Sequence, residues 1–370
     1  MKVIVNRKEF IQALSLGSSF SGKNKALMAL DYTRLVFKEN KCKITSNDGE
    51  MAITTTYTTS DYMLGEDTVY IEAKTMLNAL KSIKEEEVAI DFDEKSCVIK
   101  HKRGVFNIPY GEVDVYPIPQ MDKDSTILTV ESEALFNWLK DARQFVADDQ
   151  LRPVMNGVYL FVRDNMIGVC ASDGHRLYAD SKNYDSDANV DAILSAKAIS
   201  TLLDTINNTE NTIIYFGERN VAFKAGDTSI MCRKIDGRYP NFKSVIPQTH
   251  NFSVECNRDE FVESISRCLI MANQSSLIRM AIRGNENSME LVAEDIDFSR
   301  KGQEFVDVEN NTLKNGQLEI GFKGTFANVC MSAISSDKVR LELTDASRAI
   351  VMKDLDNEDK TILLMPMACS

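Results

Sequence analysis

No apolar run in the sequence approaches the ~20 residues that a membrane-spanning helix requires, and the opening MKVIVNRKEF has no hydrophobic segment of the signal-peptide kind. A cytoplasmic protein with no membrane attachment is therefore expected. Histidine is scarce, with three residues, and no H-E-x-x-H, G-x-S-x-G or dinucleotide fingerprint occurs, which removes the common zinc-protease, hydrolase and nicotinamide patterns. The eight cysteines (42, 97, 170, 232, 256, 268, 330 and 369) form no C-x-x-C pair and no metal-like spacing. Most sit inside apolar runs and read as small buried hydrophobes, so neither disulfide, metal nor cofactor is expected. Positive charge is also in deficit. A net charge of −12 argues against holding nucleic acid by bulk electrostatics.

What is present is the composition of a soluble globular protein, 44% hydrophobic and 26% charged. At 370 residues the chain exceeds one ordinary core and points to two or three domains. Its central stretch carries the clearest local signal. Residues 158–162 and 167–171 are apolar, β-branched runs separated by Arg-Asp-Asn-Met, the pattern of a β-hairpin. The polar cluster Ser172-Asp173-Gly174-His175-Arg176-Leu177 follows at once. Its Asp-Gly step predicts a sharp turn, with Gly174 free to take positive φ, that displays His175 and Arg176 at a strand end.

The strongest global signal is a threefold repeat at a spacing near 125 residues. Three helix starts align, Asn6-Arg-Lys-Glu-Phe10, Glu131-Ser-Glu-Ala-Leu135 and Asn257-Arg-Asp-Glu-Phe261, each after a short alternating strand. Three second helices align as well, Ala73-Lys-Thr-Met-Leu, Ala196-Lys-Ala-Ile-Ser and Phe322-Lys-Gly-Thr-Phe. Between the members of each pair lies an acidic turn, at Ser46 to Glu50, Ser172 to His175 and Ala293 to Asp297, and the first two repeats close on Tyr116-Pro117 and Tyr239-Pro240. Each repeat reads strand, helix, several strands, helix, several strands. This is an α+β organisation with two helices on one face of a mainly antiparallel sheet, and it predicts three similar domains at 1–124, 125–250 and 251–370.

Four constellations carry possible chemistry. Lys74 and Lys81 share a helix face with Asn78, opposite a core stripe of Met76, Leu77, Leu80 and Ile83, and Lys140 and Arg143 stand i,i+3. Gly17-Ser-Ser-Phe-Ser-Gly22-Lys23 has phosphate-loop spacing. Asn24 follows where a Ser or Thr would bind magnesium, and a helix precedes it instead of a strand, so it reads as a basic loop. Cys170, His175 and Asp173 allow a three-domain hydrolase with a Cys-His-Asp site, against which stands the apolar strand around Cys170. Met155, Leu177, Pro240, Val245 and 363–367 read equally as an adaptable peptide pocket or as interdomain core.

Taken together, Arg152, Asn156-Gly157, ASDGHRL (171–177), IDGRYPNFKSVIP (235–247) and Met365-Pro366-Met367 resemble the bacterial DNA polymerase III beta subunit, the sliding clamp family, over the whole chain. The resemblance implies a head-to-tail homodimeric ring of six clamp domains around duplex DNA. Its function would be that of a non-enzymatic processivity factor tethering the replicative polymerase, clamp loader and repair proteins through short linear motifs. It places a peptide pocket at Met155, Ser172, Gly174, His175, Arg176, Leu177, Pro240, Val245, Ala349, Leu363, Met365, Pro366 and Met367. It turns Lys23, Lys25, Lys74, Lys81, Lys140, Arg143, Gln150, Arg152, Lys197, Arg258 and Lys323 toward DNA. It sets Phe106 and Ile108 against Ile270 and Met271 of the other subunit, with Lys102 and Arg103 as ionic partners for Glu304 and Asp307. A ring held topologically needs only weak phosphate contacts, which reconciles DNA with the net charge of −12. The departures are the ending Ala368-Cys369-Ser370, Ala349 in place of a serine, and Asp148-Asp149, whose two carboxylates would repel phosphate. A peptide-binding scaffold that does not encircle DNA remains the other alternative.

Overall fold

The computed structural model describes residues 2–23, 27–207, 209–284 and 286–369, with 60–65 as backbone only. A first run of elements comprises β1 (Lys2–Asn6), α1 (Arg7–Gly17), β2 (Thr33–Asn47), β3 (Met51–Ile71), α2 (Ala73–Ser82), β4 (Glu87–Phe92), β5 (Ser96–His101) and β6 (Gly104–Pro109). A second comprises β7 (Thr126–Glu131), α3 (Ser132–Ala142), β8 (Gly157–Arg163), β9 (Met166–Ser172), β10 (Arg176–Asn183), β11 (Val190–Ser195), α4 (Ala196–Ile206), β12 (Asn211–Phe216), β13 (Asn220–Ala225) and β14 (Thr228–Arg233). The third comprises β15 (Phe252–Asn257), α5 (Arg258–Leu269), β16 (Leu277–Arg283), β17 (Ser288–Asp295), β18 (Arg300–Glu309), β19 (Gln317–Lys323), α6 (Gly324–Ser332), β20 (Lys338–Leu343), β21 (Ile350–Asp354) and β22 (Asn357–Leu364). The second and third runs match element for element. In the first, the long strands β2 and β3 stand where the others have four.

All six helices begin inside the segments that the repeat predicts, and local chemistry explains why. The Asn6 side chain accepts hydrogen bonds from the Lys8 and Glu9 amides at 3.1 and 3.2 Å. Asn257 does the same for Glu260 at 3.0 Å, so each satisfies donors that a helix start leaves orphaned. The acidic turns repeat as well. Asp48 accepts from the amides of Glu50 and Met51, and Asp173 accepts from those of His175 and Arg176. The glycine inside each turn has positive φ, 95° at Gly49 and 88° at Gly174. Gly17, the first glycine of the phosphate-loop pattern, closes α1. A Cβ there would lie 2.6 Å from Ile44 Cγ2, so close packing of helix on strand accounts for it.

The chain divides into two compact units, residues 1–136 with 200–234, and residues 137–199 with 235–370. The first holds a four-stranded sheet, β1-β4-β5-β6, and a six-stranded sheet, β2-β3-β14-β13-β12-β7. Phe10 and Leu14 of α1 and Met76 and Leu80 of α2 are buried with Val3, Leu35, Ile44 and Ile90, while Lys74, Asn78 and Lys81 are exposed on the other face of α2. The second unit holds one twelve-stranded sheet of order β11-β8-β9-β10-β22-β21-β20-β15-β18-β17-β16-β19. The middle repeat is thus shared. Its β14 extends the first repeat's sheet by antiparallel pairing with β3, where the Thr55 and Thr228 hydroxyls meet at 2.9 Å. Its β10 extends the third repeat's sheet by antiparallel pairing with β22. The repeat limits near 124 and 250 fall in the connections between β6 and β7 and between β14 and β15.

One buried charge cluster supports the second unit. Lys360 Nζ donates to the Ala333 carbonyl at 2.8 Å and pairs with Asp354 at 3.0 Å, and Asp141 lies 3.9 Å away. Burial opposes the charge on Asp354, but hydrogen bonds from Ser335, Ser336 and Lys360 outweigh it and hold that carboxyl far below its ordinary range. At Asp141 burial prevails over Lys360 and pushes the carboxyl up to about 6. A raised carboxylate costs stability above its folded pKa, and that cost disappears as pH falls from about 6 through the ordinary value of 3.8. Asp141→Asn is therefore expected to raise the thermal unfolding midpoint at pH 8 by several degrees, on the order of 2–3 kcal/mol. At pH 4 the advantage should vanish. A difference between variant and parent that does not change with pH would contradict this reading.

Candidate peptide-binding cleft

Where β10 joins β22, residues two apart on neighbouring strands point to one face of the sheet. Leu177 stands opposite Leu363 in the register, and opposite Ser172 of β9 on its other side. Tyr159, Phe161, Cys170, Ala179, Val351 and Leu363 complete a buried apolar floor with Leu177, Tyr239 and Ala349. Tyr239 stacks on Tyr159 with ring centroids 4.9 Å apart at 8°, and the Tyr159 hydroxyl donates to Asp191 at 3.0 Å. The segment 240–247, with a short 3-10 turn at Phe242–Val245, crosses this face. Phe242 and Ile246 pack onto the floor, and Val245 stays 57% exposed.

The result is a cleft of ≈ 700 Å³ with an apolar floor and a polar rim. Its rim is built by the β9–β10 turn. Asp173 pairs with Arg176 at 3.0 Å, both side chains largely buried, and the Ser172 hydroxyl donates to the Arg176 carbonyl at 2.9 Å. The Arg176 guanidinium lies between the rings of Phe145 and Phe326, 5.5 and 4.6 Å from their centroids. Next to this turn, the Met365 amide donates to the His175 carbonyl at 2.8 Å, and the Met367 amide donates to that of Gly321 at 2.7 Å. The chain end is thereby pinned beside the cleft.

Of the residues expected here, Met155, Ser172, Gly174, Arg176, Leu177, Pro240, Val245, Ala349, Leu363 and Met365 all line the cleft. His175, Pro366 and Met367 do not. His175 gives its carbonyl to Met365, and its ring lies 6.0 Å from that of Phe326. The cleft also takes residues that the motifs did not assign to it, among them Tyr239, Phe242, Ile246 and the loop residues Ser347 and Arg348. Arg152 is another. Expected toward DNA, it lines the cleft and donates to Asp149 at 2.7 Å. Asp149 is in turn locked to Asn156 by reciprocal backbone and side-chain bonds at 2.9 and 3.0 Å. Asp149 is therefore not a bare repulsive carboxylate. The Asn156-Gly157 step has its own reason, since a Cβ at Gly157 would lie 2.7 Å from the Leu194 carbonyl.

Family models of the DNA polymerase III beta subunit match the chain throughout: the N-terminal domain over 1–122, the central domain over 129–241 and the C-terminal domain over 243–368. The chain belongs to the DNA polymerase III beta subunit family. It is 24% identical to the beta sliding clamp of Staphylococcus epidermidis, with 99% of each chain covered. The DNA polymerase sliding clamp of Bacillus subtilis superposes with a TM-score of 0.90 at 19% identity, covering 100% of both chains. The Pseudomonas aeruginosa clamp bound to griselimycin gives 0.92 at 21%, covering 100% of this chain and 99% of the other.

The remaining residues that the family resemblance singles out are placed unevenly. Lys74, Lys81, Lys140, Arg143, Gln150 and Lys197 are exposed, and Lys23 sits over the Phe20 ring at 5.2 Å. Lys25 lies outside the described residues. The Arg258 guanidinium donates to Asp259 and to the Ile334 carbonyl, both at 2.9 Å. The Lys323 Nζ rests 4.3 Å above Phe326, the ring that also holds Arg176. At the expected dimer contact, Ile270 and Met271 are 69% and 37% exposed, but Ile108 is 3% exposed within its own core. Phe106 packs on the same core, and Val105 is an outward-facing apolar residue of β6 at 59%. Glu304 is already bound by Arg267 at 2.8 Å, which leaves Asp307 exposed beside it. Lys102 and Arg103 are exposed.

The hydrolase alternative does not survive this geometry. Cys170 is 0% exposed in the cleft floor, and burial pushes its thiol well above the ordinary range, so the thiolate a nucleophile needs is not formed. His175 does not line the cleft; its carbonyl is bound by the Met365 amide, and its ring lies 6.0 Å from that of Phe326. Seven cysteines are buried and free, and Cys369 is exposed. A thiol reagent such as DTNB is expected to titrate one cysteine of the native protein quickly and the other seven only on unfolding. Rapid modification of Cys170 would reopen the catalytic reading.

Proposed function

We propose that this chain acts as a non-catalytic DNA sliding clamp whose cleft at the β10–β22 junction captures client proteins. As a member of the DNA polymerase III beta subunit family it encircles duplex DNA as a homodimer and tethers the replicative polymerase and other partners. The cleft is the observation that carries the client-binding role. An apolar floor several side chains wide, rimmed by Arg152, Arg176, Ser172 and Arg348, suits a short linear segment that buries one or two anchors and leaves its backbone at the rim. Three clamp domains at 1–124, 125–250 and 251–370 fit the repeated element order, and a cytoplasmic setting fits the role. Among the described residues no helix is long and apolar enough to cross a membrane.

Two unpaired strand edges support head-to-tail assembly. β6 ends its sheet, and β18 meets β15 only at Glu309 and Val308, which leaves its earlier residues open on that side. Val105 on β6 and Phe305 on β18, 59% and 57% exposed, give both edges apolar character, and Ile270 is a further exposed apolar residue at 69%. Exposed apolar edges are hazards in a monomer, and pairing them with another copy removes the hazard. For DNA, the exposed Lys74 and Lys81 of α2, with Lys23, Lys140 and Arg143, supply scattered contacts to phosphate. Scattered cations in an acidic protein allow sliding, whereas a dense basic surface would slow it.

Leu177→Ala combined with Met365→Ala should weaken binding of a client-derived peptide at least a hundredfold in fluorescence anisotropy, with dimerisation intact. An unchanged affinity would remove the cleft from the account. Ile270→Asp should convert dimer to monomer in light scattering, because assembly would bury an unpaired charge. Since Ile270 is 69% exposed in the single chain, the variant's melting temperature should stay near that of the dissociated parent. A dimer that persists would move the interface elsewhere.

A further inference from the structure

A second cavity, ≈ 270 Å³, opens on the same sheet face as the cleft. Phe161, Ala179 and Thr361 line it, each two residues along its strand from Tyr159, Leu177 and Leu363 of the cleft floor. Phe242 and Ile246 line both cavities, so the crossing segment 240–247 forms a ridge shared by the two. The two cavities differ in charge. The cleft rim carries Arg152, Arg176 and Arg348, each paired with an aspartate outside the lining, Asp149, Asp173 and Asp345. The second cavity is lined by Asp164, Asp180 and Asp359 together with Arg163 and Lys243. Arg163 is spent, held over the Tyr159 and Phe161 rings at 5.4 and 5.5 Å and donating to Asp191 at 3.3 Å. Asp180 is spent as well, buried and accepting from the Tyr178 hydroxyl and Asn357. Among the described residues Asp164 and Asp359 form no ion pair, and of the two cations that line the cavity Lys243 is the one not committed to another carboxylate.

We propose that this second cavity receives a basic side chain, lysine or arginine, from the same client segment whose apolar anchors fill the cleft. The inference rests on the reading of the cleft as a peptide site. The stem of such a side chain would lie along Phe161, Met166 and Phe242, and its charge would reach Asp164 and Asp359 at the mouth. Two carboxylates against one lysine disfavour a phosphate or an acidic residue there. The continuous apolar wall across Phe242 and Ile246 favours one chain spanning both cavities over two separate ligands. A clamp built this way reads more than the anchor. It ranks clients that share apolar anchors by whether a basic residue flanks them.

The test uses the full-length dimer and fluorescein-labelled synthetic peptides with an adjacent Leu-Phe anchor and alanine flanks. A single arginine is moved through four positions on either side of the anchor. At one position arginine should tighten binding five- to tenfold, and Asp164→Asn with Asp359→Asn should cut that gain below twofold while leaving the alanine-flanked peptide's affinity unchanged. Asparagine keeps the left-handed backbone of residue 164, where φ is 53°, so the variant preserves the β8–β9 turn. No gain at any position, or a gain that survives in the double variant, overturns the proposal. An alanine-flanked peptide that fails to bind, or that binds Leu177→Ala/Met365→Ala as tightly as the parent, overturns the cleft reading and this inference with it.

Discussion

The pairing of β10 with β22 is the interaction on which the rest of the second unit depends. Arg176, Leu177, Tyr178 and Ala179 lie opposite Leu364, Leu363, Ile362 and Thr361, and this register fuses strands of two repeats into one sheet. Because the side-chain period of a strand is two, a slip of one residue would turn Leu177 and Leu363 out of the cleft floor and bring Tyr178 and Ile362 into it. Tyr178 and Ile362 are themselves 0% exposed on the opposite face, so both faces resist the slip. The cleft is thus a by-product of how two repeats are joined.

That origin explains why recognition and stability share residues here. Asp173 shapes the β9–β10 turn through the amides of His175 and Arg176, and its other oxygen holds the Arg176 side chain at the rim. Asp48 shapes the equivalent turn of the first repeat, accepting from the Glu50 and Met51 amides. There Met51 stands where Arg176 follows Asp173 by three, although β3 too pairs with a strand of the next repeat, β14. The repeat supplied the scaffold three times, and the chemistry was elaborated where β10 meets β22.

Local signals made much of this legible. The asparagine caps at Asn6 and Asn257 and the Asp164-Asn165 turn, with φ of 53° and 55°, are decided by residues a few positions apart, so the helix starts and the β8–β9 hairpin follow from the sequence. The cleft residues came from family motifs, and most converge as expected. Side-chain partners chosen over long distances were not legible. Nothing near Arg258 announces the Ile334 carbonyl, and the loop 347–348 carries no periodic signal. Lys323 reads as a helix-opening cation until Phe326 is seen beneath it. Ile108 was within reach, since alternation along β6 sets it on the core face and Val105 outward.

The acidic composition and the DNA-encircling function meet only if the link to DNA is topological, and retention on circular against linear duplex tests that most directly. Clamp loaded on nicked circles by its loader, then gel-filtered at moderate salt before and after a single cut, should stay with the circles and leave the linear molecules. Equal retention on both would mean that ordinary electrostatic contacts hold the protein, and would contradict the account.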